Sequence, residues 1–172
     1  MKRSEFKKIW KSVDRDRHAY AIQDLSQMCK SSSAHTRFRG LLLMRKQIAK
    51  GRLSGSFFRI GKSLIEDCDN DCRWQALIVV GEFIGTKHED VWKVICRYGT
   101  SNDDDMRTGV ATVLLEHLLE HHYNRYFLLL KEKILRSSPM LGDTLSMCAY
   151  FGQARHHKRE IQSLVRSAAN GG

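Results

Sequence analysis

The six residues Asp71-Cys72-Arg73-Trp74-Gln75-Ala76 return in altered form as Asp105-Met106-Arg107-Thr108-Gly109-Val110, 34 positions later (107 − 73 = 34). The same offset carries Val80 onto Leu114, Glu82 onto Glu116 and Ile84 onto Leu118. A weaker copy, Thr36-Arg37-Phe38-Arg39-Gly40-Leu41, lies 36 positions upstream (73 − 37 = 36). It sets Gly40 on Ala76, Met44 on Val80 and Ile48 on Ile84. A fourth, degraded copy begins near Met140 and lacks the arginine. A repeat of this length is one supersecondary unit that leaves an apolar face uncovered, so neighbouring units must stack.

The units read as helices. Phe6, Ile9, Trp10 and Val13 recur at i, i+3, i+4 and i+7, which marks a short basic helix over about residues 1–12. Further helices are expected at about 15–30, 35–50, 54–67, 71–84, 88–98, 104–121, 124–136, 140–151 and 155–168. Short breaks with helix punctuation separate them, among them Gly99-Thr100-Ser101-Asn102-Asp103 and Ser137-Ser138-Pro139. The chain has a single proline, which favours long helices over loop-rich sheet. No alternating run is long enough to compete as a strand.

This pattern resembles the HEAT repeat, which pairs two helices and marks the second with an acidic turn followed by D-x-x-apolar-R-x-x-small. The matching stretches are Asp69-Asn70-Asp71-Cys72-Arg73-Trp74-Gln75-Ala76 and Asp103-Asp104-Asp105-Met106-Arg107-Thr108-Gly109-Val110. Val91-Trp92-Lys93-Val94-Ile95-Cys96-Arg97-Tyr98 reads like a first helix. The resemblance covers roughly residues 13–151 and implies an all-α fold. The expected form is a right-handed α-solenoid of about four HEAT-like antiparallel helix pairs plus a terminal helix. Residues 1–172 are expected to form a single domain, with 169–172 a frayed tail. The motif also has its own physics. An aspartate at a helix start accepts backbone N–H groups and suits the helix dipole. The arginine can reach the acidic turn of a neighbouring unit, and Gly40 or Ala76 allows close helix packing. Asp71, Arg73, Asp105 and Arg107 are therefore expected to form a structural ladder.

Charge is uneven. Residues 1–62 hold 16 Lys/Arg and 4 Asp/Glu, whereas residues 63–122 hold 5 and 12. A basic first third suggests an anionic partner. Lys2, Arg3, Lys7, Lys8 and Lys11 cluster beside Trp10. Lys7, Lys8, Lys11, Arg37, Arg39, Arg45 and Lys46 are the candidate nucleic-acid-binding residues, although those on the helix 35–50 occupy different sectors. Some bacterial DNA glycosylases acting on alkylated bases are built from HEAT-like repeats with a basic concave face, and the chain is similar to them in that general respect. Those enzymes are longer and use tryptophans with a catalytic aspartate. Trp74 beside Asp71 is the nearest counterpart here, and no catalytic residue is carried over.

His117-Leu118-Leu119-Glu120-His121 spells H-x-x-E-H, the inverted zinc-peptidase motif. At 100° per residue, however, His117 and His121 fall on the apolar arc with Met106, Val110, Val113 and Leu114, which predicts hydrogen bonding within the stack. Only Glu132 and Glu160 remain downstream to supply a third glutamate ligand. Cys68 and Cys72 have C-x3-C spacing but no second pair at zinc-finger distance. Gly61-Lys62-Ser63 ends like a phosphate loop, yet no strand precedes it and the upstream glycine spacing fails. No catalytic residue, metal or cofactor is expected. The five cysteines are expected to be reduced and mostly buried. No apolar run approaches the ~20 residues of a membrane span, and the basic N-terminus lacks a signal-peptide core, so the expected setting is cytoplasmic. The leading expectation is a non-enzymatic binding or adaptor module holding a protein partner on its concave face. The alternative is a nucleic-acid-binding protein, related in architecture to the alkylated-base glycosylases.

Overall fold

The computed structural model describes residues 3–170, and among the described residues the regular structure is entirely helical. Lys2 of the basic run and the terminal Gly171 and Gly172 lie outside them. The helices are α1 (Arg3–Arg15), α2 (Ile22–Cys29), α3 (Ala34–Ala49), α4 (Gly55–Ser63), α5 (Asn70–Gly81), α6 (Ile84–Tyr98) and α7 (Asp104–Gly109). A π-helical segment, Val110–Leu115, then runs into α8 (Glu116–Arg136), followed by α9 (Met140–Ser146), α10 (Gly152–His156) and α11 (Lys158–Asn170). The chain divides into two compact units, Met1–Glu82 and Phe83–Gly172.

In the first unit α2 packs on α3, α4 packs on α5, and α3 lies between α1 and α5. The paired helices start where the repeat predicts. The Ser33 side chain accepts the Thr36 N–H at the head of α3, and Asp69 accepts the Cys72 N–H at 3.1 Å at the head of α5. Gly40 brings α2 and α3 close together, because a Cβ there would lie 2.9 Å from Cys29 Sγ. Gly61 does the same for α4 on α5, with Val79 Cγ1 at 2.9 Å. Phe38, Leu41, Met44, Phe57 and Leu77 fill the space between, each burial worth roughly 1.5–3 kcal/mol.

Arg37 joins two turns of this unit. Its Nε and Nη2 donate to the two Asp67 oxygens at 2.6 and 2.7 Å, and its Nη1 donates to the Ser31 and Ser32 carbonyls at 2.9 Å each. The Arg37 and Asp67 side chains are only 10% and 4% exposed. Burial pushes the Asp67 carboxyl up, but the guanidinium and the Asp69 N–H outweigh it and hold the group below its usual value.

The expected helix 15–30 is interrupted: α1 ends at Arg15 and α2 starts at Ile22. The cause is long-range. Lys46, on α3, donates to the carbonyls of Val13, Asp14 and Asp16 at 2.7, 2.7 and 2.8 Å, satisfying the end of α1 and suiting its negative pole. Gln47 donates to the Tyr20 carbonyl at 2.8 Å, and Arg39 reaches Asp16 at 3.1 Å. The connection is thus held by side chains about 30 residues away, which local periodicity does not reveal.

In the second unit α6 and α8 each contain one residue that leaves helical geometry: Lys87 (φ −132°, ψ 35°) and His122 (φ −134°, ψ 36°). Each helix kinks there, so that two helical stretches meet at the break. From the cap Asp69 to Lys87 the chain advances 18 residues (87 − 69 = 18), and from the cap Asp103 to His122 it advances 19 (122 − 103 = 19). The π-helical Val110–Leu115 absorbs the extra residue, since a π-bulge is a one-residue insertion in an α-helix.

That insertion corrects the expected placement of the two histidines. Beyond it every side chain is rotated by about one residue, roughly 100°. Leu114, Leu115, Leu118 and Leu119 are buried, Glu116 is buried with them, and His117 and His121 face solvent. Glu116 accepts the Ala149 N–H at 2.7 Å. This long-range bond fixes the extended stretch after α9, so the helix expected over 140–151 ends at Ser146. Gly152, at φ +47°, then closes on the Glu120 carbonyl, 2.9 Å from where a Cβ would stand. The last helix starts at Lys158 rather than 155, after the short α10.

Replacing Arg37 leaves Asp67 buried and unpaired, so Arg37→Ala is expected to destabilise the chain by about 3–5 kcal/mol in urea unfolding. Arg136→Ala, which breaks an exposed pair with Glu132, is expected to change stability by less than about 0.5 kcal/mol.

Candidate interaction site

The seven cations singled out from the sequence divide into two sets. Lys7, Lys8 and Lys11 on α1 are exposed. Arg37, Arg39 and Lys46 are bonded to Asp67, Asp16 and three carbonyls as described. An ammonium has three donors, so the three carbonyls saturate Lys46. Arg45 donates from Nη1 to Gln75 at 3.0 Å on α5 and stands 4.0 Å from Glu82. Its guanidinium lies over the Trp10 ring, 5.9 Å from the centroid, and its Nε is buried without a hydrogen-bond partner. These cations therefore do not form one phosphate-facing row.

Two of them, Arg45 and Lys46, instead line an apolar groove. Trp10, Val13 and Asp14 of α1 face Leu42, Arg45, Lys46 and Ala49 of α3 across a volume of about 210 Å³. Phe6 anchors the helix beside it by packing on Phe38 at 5.0 Å. Trp10 stays 37% exposed. A larger cleft between α2 and α4, about 470 Å³, is lined mainly by polar residues such as Gln23, Ser26, Gln27 and Lys30.

The ladder residues sit at helix starts. The capping acids are Asp69 and Asp103, and Asp71 and Asp105 occupy the first turns just behind them. Arg73 bonds the Asn70 side chain. Arg107 donates to the Ser101 carbonyl at 2.7 Å and to Asp104. The reach from an arginine to the acidic turn of the next unit is made in the first unit by Arg37 and Asp67.

In the H-x-x-E-H segment, His117 Nδ1 lies 2.9 Å from Glu120 Oε2 and His121 Nε2 lies 3.9 Å from the same oxygen. Among the described residues no group of three His, Cys, Asp or Glu is placed to hold a metal. Cys72 is buried and directs its Sγ at the Ala34 carbonyl at 3.4 Å, whereas Cys68 is exposed.

In sequence, His88-Glu89-Asp90 reads as the acid-rich first turn of a helix, and its meeting with His122 is not evident there. His88, one residue beyond Lys87, shares a 2.6 Å hydrogen bond between its Nδ1 and the Tyr126 hydroxyl. The His122 ring lies 4.7 Å from the His88 ring, edge-on to Tyr126, and the Trp92 ring lies 5.5 Å from that of Tyr126. Arg125 covers Tyr126 and pairs with Glu89 at 2.6 Å. His122 Nε2 is buried without a partner. Burial first, and the neighbouring His88 second, push the His122 imidazole below its ordinary pKa. A signal was present, since His88 and His122 lie one repeat apart (122 − 88 = 34).

No known protein family, curated protein or solved structure matches the chain.

Because His122 resists protonation when folded, the unfolded chain binds the extra proton first. Its contribution to stability is complete above the ordinary histidine pKa of about 6.5 and falls as pH drops below it. The urea midpoint should therefore decline between pH 7.5 and 5.5, and His122→Gln should flatten that decline. An equal decline in both proteins would contradict the assignment.

Proposed function

We propose that the chain is a non-enzymatic, HEAT-like helical-repeat module that holds a protein partner against the face formed by α1 and α3. One observation carries this reading. The α3 cations that would serve a phosphate backbone are engaged inside the first unit, and the seam beside them leaves Trp10 at an open apolar groove. Aromatic side chains at such seams are typical anchors of protein interfaces. Stacked, capped helix pairs at a 34–36 residue period support the HEAT-like assignment and the solenoid it implies. The five free cysteines fit a reducing, cytoplasmic setting.

A photo-crosslinking residue placed at Lys11 in the native cell is expected to give a discrete adduct that protease removes and nuclease does not. The same residue at the exposed Glu66 should give none. A nuclease-sensitive adduct at Lys11 would favour the nucleic-acid reading and contradict this one.

A further inference from the structure

We infer that the cleft between α2 and α4 binds a small phosphate monoester, with the phosphate between Lys30 and Arg59 and the organic body on Ile22 and Ile60. The cleft shares no lining residue with the α1/α3 groove, and the inference does not rest on the protein-binding reading.

The sequence of α2 opens the cleft. Leu25 and Cys29 are the buried side of this helix, and Cys29 meets Gly40 of α3. Gln23, Ser26, Gln27 and Lys30 recur at i, i+3, i+4 and i+7, so a second side of α2 is polar where apolar residues at that spacing would close it on its neighbour. Ser56, Arg59 and Ile60, at i, i+3 and i+4 of α4, form the other wall. The space between is about 470 Å³, within the roughly 300–1,000 Å³ of small-molecule sites.

Charge selects the ligand. Each wall supplies one cation, and among the described residues no carboxylate lines the cleft. Asp24, the acid of α2, stands about 100° around the helix from Gln23 and is not part of the lining. Unlike the cations of α3, Lys30 and Arg59 have no acidic partner among the described residues. The Lys30 ammonium makes no hydrogen bond there, and Arg59 donates from Nη2 to Ser56 Oγ alone, at 3.0 Å. Gln23, Ser26 and Gln27 add side-chain donors that are likewise unengaged. Ser56 lies in the first turn of α4, whose positive pole suits an anion. Together these are more donors than the two oxygens of a carboxylate can use, and they suit the three terminal oxygens of a phosphate monoester. A phosphate group fills only a small part of the cleft. Ile22, 38% exposed, and Ile60 offer apolar surface to the group that it esterifies.

Titration of the full chain with phenyl phosphate, followed by backbone amide NMR at low salt, tests this. Saturable shifts are expected at Gln27, Lys30, Ser56 and Arg59. Lys30→Gln/Arg59→Gln should weaken binding at least about tenfold. Lys7→Gln/Lys11→Gln, which removes the same charge from α1, should leave it within about twofold, with circular dichroism unchanged in both. Inorganic phosphate should bind the same residues more weakly, and Ile22→Ser should weaken phenyl phosphate while leaving inorganic phosphate unchanged. Shifts that do not saturate, shifts spread evenly over the exposed lysines, or equal weakening by the two double variants overturn the inference. Inorganic phosphate binding as tightly as phenyl phosphate overturns the ester. A phosphoserine peptide that binds the cleft far more tightly than phenyl phosphate overturns the small molecule in favour of a phosphorylated chain.

Discussion

Three helices of this chain start on the same device, a side-chain oxygen four residues ahead of an arginine: Ser33 and Arg37, Asp69 and Arg73, Asp103 and Arg107. The oxygen closes N–H groups that the helix cannot satisfy itself. The arginine returns to the turn it left, and Arg37 and Arg107 each donate from Nη1 to the carbonyl six residues back. A turn tied in this way holds the direction in which the helix enters its stack. Arg37 extends the tie to Asp67, so the entries to α3 and α5 are fixed to each other through a buried ion pair.

Most of the first unit follows from what α3 holds. One end carries Arg37 and its carboxylate, and the middle carries Arg39 and Arg45 with their partners on either side. The far end carries Lys46, which terminates α1, and Gln47, which holds the connection to α2. The basic character of this region is therefore largely a set of internal links. What remains outward is the lysine-bearing side of α1, where Lys7, Lys8 and Lys11 are exposed. Its apolar side is incompletely covered at Trp10, and the functional reading stands on that gap.

Features decided within a turn or two were legible in the sequence. The expected helix 35–50 is observed at 34–49, and Asp103 caps the helix it was expected to cap. Gly40 occupies the close approach that its place in the motif implied. Helix ends set by distant side chains were not legible. Lys46 ends α1 and Glu116 fixes the chain after α9, each across about 30 residues. The π-helical insertion was hidden for another reason: Val110–Leu115 has an ordinary helical composition, and one added residue leaves the arginine spacing intact. Its effect appears only downstream, where it turns His117 and His121 to solvent and brings Glu116 inside. Within the candidate site, Trp10 was visible as a residue of the basic run. The groove was not, because it needs α3 beside α1.

The account turns on whether the α3 cations are structural links or a surface offered to phosphate. Side-chain NMR of the full chain titrated with duplex DNA at low salt reads this directly. The account predicts that the Arg37 Nε–H and the Lys46 ammonium exchange slowly with water and keep their shifts as duplex is added. Progressive shifts at both groups, weakening as salt is raised, would contradict it.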